Sequence, residues 1–141
     1  MQQCCNAAIY VLVEWGDAAM KRVIIESPYA GDVEKHVRYA KRCAFDCLTR
    51  GEAPFASHLI YTEILDDNLP NERTLGIEAG YAWWLSAECV VFYTDYGWSK
   101  GMIAAYRRAL ELGKLVEFRT LWTEVSQERL PDVGRDSPST N

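Results

Sequence analysis

The sequence predicts a three-layer α/β sandwich built on a parallel core sheet, and three observations carry that reading. Val90–Tyr93 is an unbroken apolar run, the pattern of a strand covered on both faces. Stretches with apolar residues at helical spacing alternate with such runs, which is the order of βαβ units. The residues that a core or a helix face does not need gather in three turns, Ser27–Asp32, Ala56–Leu59 and Thr94–Met102, where strands hand over to helices. In parallel sheets ligands sit beyond the carboxyl ends of the strands, so the three turns point to one shared pocket.

Taken in order, Arg22–Glu26 is the expected first strand. The turn Ser27-Pro28-Tyr29-Ala30-Gly31-Asp32 follows, with Asp32 as N-cap. The helix after it carries Val33, Val37, Ala40, Ala44, Cys47 and Leu48 at helical spacing and stops at Gly51. Ala53–Ala56 reads as a second, short strand, and Ser57-His58-Leu59 as a turn into a short helix reaching about Leu65. Asp66–Asn71 is a loop, and Glu72–Ser86 a third helix with Gly76, Glu78, Gly80, Trp83 and Trp84. After Val90–Tyr93, the residues Asp95, Tyr96, Gly97 and Trp98 break the strand. Ser99 then caps a helix whose Met102, Tyr106, Ala109 and Leu110 recur at helical spacing. Lys114–Arg119 is the last strand.

Residues 20–122 read as one domain, an ordinary size for part of a 141-residue chain. Met20-Lys21-Arg22 before Val23-Ile24-Ile25 has the pattern of a natural start, so residues 1–19 read as an N-terminal extension. Alternation at Ile9, Val11 and Val13 suits either an added edge strand or a cover for a neighbouring subunit. Residues 123–141 read as a tail, rich in Pro, Gly, Ser and Asp from about Pro131, a composition that favours disorder.

A net charge of -5 with scattered basic residues argues against a nucleic-acid surface but leaves an anionic small ligand open. The five cysteines include no CxxC pair and read as reduced thiols of a cytoplasmic protein. Asp66 and Asp67 lack the further oxygen ligands a metal site needs, so neither a metal nor another cofactor is expected. Ala7–Val13 is too short to span a membrane.

Within the three turns, Ser99, Gly101 and Met102 offer free amides and the positive end of a helix dipole to an anion, and Gly101 lets a ligand approach the backbone. Tyr29 and Trp98 offer flat faces for stacking a base. Asp95 suits either a ribose hydroxyl or a turn cap, and His58 either a ligand contact or a first-turn cap. Ser27, Gly31 and Asp32 complete the candidate binding set from the first turn.

At ESPYAGD, PFASHLIYT, ERTLGIEAGYAWW and YTDYGWSKGM, over about residues 20–121, the sequence resembles a phage and bacterial branch of the nucleoside 2-deoxyribosyltransferase-like superfamily. The resemblance implies a flavodoxin-like sheet, homo-oligomers and a pocket for a nucleoside or nucleotide. The transferases carry a glutamate nucleophile four residues beyond the glycine of a serine–glycine turn. Here that turn is Ser99-Lys100-Gly101, and the matching position is Ala105. Glu78, in GIEAGYA, locally resembles the transferases' glutamate motif but lies on the preceding helix.

Two functions follow as expectations. In the first, the protein binds a nucleotide-derived small molecule without turnover, and in a phage setting sequesters a signal of host immunity. The alternative is an N-glycosidase or deoxyribosyltransferase that attacks through Glu78, with His58 or Asp95 as general acid. A homo-oligomer is expected in either case, because one short chain carries many large aromatics on a single helix beside the apolar segment Ala7–Val13.

Overall fold

The computed structural model describes residues 19–122. The readings of the N-terminal extension, including Cys4, Cys5 and Ala7–Val13, and of the tail from residue 123 lie outside the described residues. The described chain runs β1 (Lys21–Glu26), α1 (Val33–Thr49), β2 (Glu52–Phe55), two 3-10 turns (Ser57–Leu59 and Tyr61–Glu63), α2 (Pro70–Trp84), β3 (Cys89–Tyr93), α3 (Lys100–Glu111) and β4 (Leu115–Arg119).

All the strands are parallel, in the order β2-β1-β3-β4. This matches the first four strands of a flavodoxin-like doubly wound sheet. Every residue of β3 is buried, as its continuous apolar run requires of a central strand. Alternate side chains divide the core between two faces. Val23, Ile25, Cys89, Val91 and Tyr93 pack with Tyr39, Cys43 and Cys47 of α1. Ile24, Val90 and Phe92 pack with Trp84 of α2 and with Met102, Ala105 and Ala109 of α3. The layers are therefore α1, sheet, and α2 with α3.

Local chemistry sets the helix ends. Asp32 caps α1 by accepting from the Lys35 amide at 3.2 Å, and Gly51, at φ 77°, supplies the left-handed residue that ends it. Ser99 Oγ caps α3 through the Met102 amide at 3.2 Å. Among the differences from the sequence reading, two have a clear local cause. α2 begins at Pro70 rather than Glu72, because a proline suits the first helical position, where no amide partner exists. The expected helix after β2 is instead a pair of single 3-10 turns, too short for a stable α-helix.

The α1 face holds a buried ion pair. Arg119 of β4 reaches over the sheet to Glu52 of β2, donating two hydrogen bonds of 2.7 and 2.8 Å from side chains that are 8% and 9% exposed. Arg119 also bonds Glu117, which Lys21 contacts at 2.8 Å. The Lys21 ammonium and the Arg119 guanidinium hold the Glu117 carboxyl down at about 2. Burial pushes the Cys43 thiol up, and the Cys89 thiol up to about 11, so both are inert packing residues. Among the described residues, no helix is long and apolar enough to cross a membrane, and no cluster of His, Cys, Asp and Glu is arranged to hold a metal ion.

The ion pair makes the sheet sensitive to either partner. Glu52→Ala leaves the buried Arg119 charge with Glu117 as its one carboxylate partner and is expected to lower unfolding free energy by about 3 kcal/mol, read from urea denaturation. Glu52→Leu combined with Arg119→Met is expected to recover most of that loss, because it removes both charges together.

Candidate functional site

A cavity of about 390 Å³ opens beyond the carboxyl ends of β1 and β2, beneath α2 and beside the start of α3. Its volume lies in the range of small-ligand pockets. Glu26 and Ser27 reach it from the end of β1, and Tyr29 and Ala30 from the turn that follows. The segment after β2 contributes Ser57, His58, Tyr61, Thr62 and Leu65. α2 presents a stripe at helical spacing, Arg73, Gly76, Ile77, Gly80, Tyr81 and Trp84, and α3 presents Ser99–Met102, Ala104 and Ala105.

Two glycines bring α2 close to this wall. A Cβ on Gly80 would stand 2.9 Å from Ser57 Oγ and 3.0 Å from its Cβ, and one on Gly76 would stand 3.3 Å from Leu65 Cδ1. At Gly80 a side chain would force the helix and the turn apart, while at Gly76 Leu65 would have to give by a few tenths of an ångström.

Glu26 lies in register with Phe92 on the face covered by α2 and α3. The side chain is half-buried, and the desolvation of its carboxyl, with no charged partner beside it, pushes it up to about 8. His58 shifts the opposite way. Burial holds its imidazole down to about 4, so the ring is neutral. Its Nε2 lies 2.8 Å from Ser27 Oγ. A serine bonded to an imidazole is the pairing used for nucleophilic attack. Here the serine is only 5% exposed and the ring is too weak a base, so the pair instead ties the end of β1 to the turn after β2.

The anion-ready groups at α3 are narrower than the sequence reading. The Met102 amide is spent on Ser99 Oγ, and its side chain is core. The amides of Lys100 and Gly101 have no protein acceptor among the described residues, and Gly101 leaves the approach open. Lys100 adds a positive charge to the same wall.

Of the residues singled out by the sequence, Ser27, Tyr29, His58, Ser99, Gly101 and Met102 line the cavity. The others do not. Asp95 accepts from the Tyr39 hydroxyl at 2.5 Å and from the Leu121 and Trp122 amides at 3.0 Å, so its carboxylate is committed to pinning the turn after β3. Trp98 stacks on Phe92 at 5.3 Å and packs against Tyr106 and Phe118, which makes it core rather than a ligand platform. Asp32 is exposed and occupied as a cap, and Gly31 is an exposed turn residue at φ 92°. Glu78 is exposed and lies off the α2 stripe that faces the cavity, so it is not positioned to attack a ligand there. Arg73 pairs with Asp67.

Glu26, Tyr61, Arg73, Tyr81 and Lys100 are cavity residues that the sequence reading missed. Glu26 alone carried a local signal. It is an acidic residue in phase with Ile24 at the end of an apolar run that must be covered on both faces. The others become visible only when α2 and α3 are docked.

A doubly wound α/β domain with a cavity at the carboxyl edge of its sheet is thus defined. Residues 21–119 match the family described as a domain of unknown function (DUF7768), and the chain belongs to that family. Neither a curated protein nor a solved structure matches the chain.

The neutral His58 ring has a measurable signature. The unfolded chain takes up a proton near pH ~6.5 and the folded chain only near about 4. Stability contributed by the neutral ring is therefore complete above that upper value and is lost as the pH falls toward the lower one. In NMR titration His58 is expected to give no imidazolium signal above about pH 5. The acid-side fall in melting temperature should be smaller in His58→Gln.

Proposed function

We propose that this protein binds a nucleotide-like small molecule in the cavity and releases it unchanged. The observation that carries the reading is Ala105. It lies in the cavity wall one turn beyond Gly101, at the position where the resemblance to the deoxyribosyltransferase-like superfamily expects a nucleophile. A side chain that ends at Cβ neither attacks an anomeric carbon nor stabilises an oxocarbenium charge. Binding is supported by the open amides of Lys100 and Gly101 for an anionic end, and by the aromatic faces of Tyr29, Tyr61 and Tyr81 for a ring. A protein of this kind lowers the free concentration of its ligand by mass action, which is how it would sequester a signal. A nucleotide ligand and buried free thiols fit a cytoplasmic setting.

The same reading includes a second copy of the chain. α2 is apolar on both sides. It buries Gly80 and Trp84 while Leu75, Ile77, Trp83 and Leu85 stand exposed. Exposed apolar side chains gathered on one helix call for cover, and a second copy of the chain supplies it.

Calorimetry with nucleoside monophosphates should detect binding, and chromatography should recover the ligand intact. Free base released by the native protein would overturn the reading. Gly101→Val crowds the amide approach and is expected to weaken binding by about tenfold or more, the worth of one hydrogen bond to a charged group. Light scattering should give a multiple of the 16.1 kDa chain mass, and Leu85→Arg should shift it toward the monomer.

A further inference from the structure

Glu26 has no role in folding that the structure reveals. Its carboxyl makes no hydrogen bond among the described residues, although it faces a cavity between β1, α2 and α3. The other charged and titratable groups there are engaged or distant in function. Arg73 pairs with Asp67, and Glu72 accepts from the Asp66 amide. His58 is bonded to Ser27, and Tyr61 accepts from Trp83 Nε1 at 2.9 Å. Lys100 lies with the anion-ready amides, while Tyr29 and Tyr81 offer ring faces. A carboxyl without a partner, pointing into a ligand-sized space, is a recognition group waiting for its complement.

Resting on the nucleotide reading, we propose that the unpartnered carboxyl of Glu26 reads the edge of the ligand's ring, one oxygen donating a hydrogen bond and the other accepting one. The complement of such a group is a ring nitrogen beside an exocyclic amine, the amidine edge of adenine or cytosine. The O–H of a carboxylic acid is a strong donor and finds its best acceptor in a basic ring nitrogen, while the carbonyl accepts from the neighbouring amine. An ionised carboxylate would have the opposite preference, for two adjacent donors such as guanine presents. The protonation state of Glu26 therefore decides which base the pocket takes. Its raised pKa, about 8 through desolvation, favours the donating form at neutral pH.

The test uses the full chain with AMP and GMP, measured by calorimetry between about pH 7 and 9.5, where Glu26 ionises. AMP should bind more tightly than GMP at the lower pH and lose about tenfold across the range, with GMP not losing in step. Glu26→Gln keeps a donor and an acceptor, should retain AMP binding, and should abolish its pH dependence. Glu26→Leu should weaken AMP at every pH. Infrared difference spectroscopy of wild type against Glu26→Gln, without ligand, should reveal a protonated carboxyl at neutral pH. An ionised Glu26 in that spectrum overturns the proposal whatever binds. So does AMP affinity that is abolished by Gln but insensitive to pH in the wild type. If the carboxyl is protonated and no nucleotide binds at any pH, the nucleotide reading falls and the base assignment falls with it.

Discussion

The pairing of β1 with β3 is the constraint on which the rest of the structure depends. Val23–Glu26 lie in register with Cys89–Phe92, while β2 occupies the other flank of β1. The chain therefore leaves β1 in one direction and returns beyond it in the other. Right-handed crossovers then send α1 to one face and α2 and α3 to the opposite face. Where the connections diverge, the carboxyl ends of the strands are left uncovered by helix. Backbone groups at that edge and the start of α3 have no intrahelical or sheet partner, and a ligand is the natural source of one.

The two faces of the sheet divide stability from recognition. Under α1 the polar groups are saturated. Arg119, Glu52, Glu117 and Lys21 satisfy one another, and Asp95 ties Tyr39 to the chain just past β4. No buried side-chain polar atom among the described residues lacks a partner. Under α2 and α3 the pattern reverses. Glu26 and the first amides of α3 are left open toward the cavity. Unpaired polar groups are costly in a closed interior but tolerable where a cavity admits water or ligand.

How much of this was legible in the sequence follows from the range of each interaction. The continuous run at Val90–Tyr93, the caps Asp32 and Ser99, and the alternation of elements are local signals, and the fold follows from them. The role of Asp95 depends on amides 26 and 27 positions later and on a hydroxyl 56 positions earlier, so no window around it could distinguish a ribose contact from a turn clip. Trp98 resembled an exposed turn aromatic because its partners, Phe92, Tyr106 and Phe118, come from three different elements. Glu78 was misread for a related reason. Its motif suggested chemistry, but the stripe defined by Gly76, Gly80 and Trp84 is what fixes which side of α2 meets the cavity.

The fit of α2 against the turn after β2 bears on how a ligand comes and goes. At Gly80 the helix and Ser57 already lie at the limit of approach, with no room for even a methyl group between them. Parting the walls there would lift Trp84, 1% exposed, out of the core beside Phe92. That seam therefore behaves as a closed hinge line. The exposed residues of the cavity lining include Arg73, Lys100, Gly101 and Ala104. Arg73 is held by Asp67, so the charge an anionic ligand meets there is that of Lys100, and its rate of entry should depend on salt even though the chain as a whole is acidic.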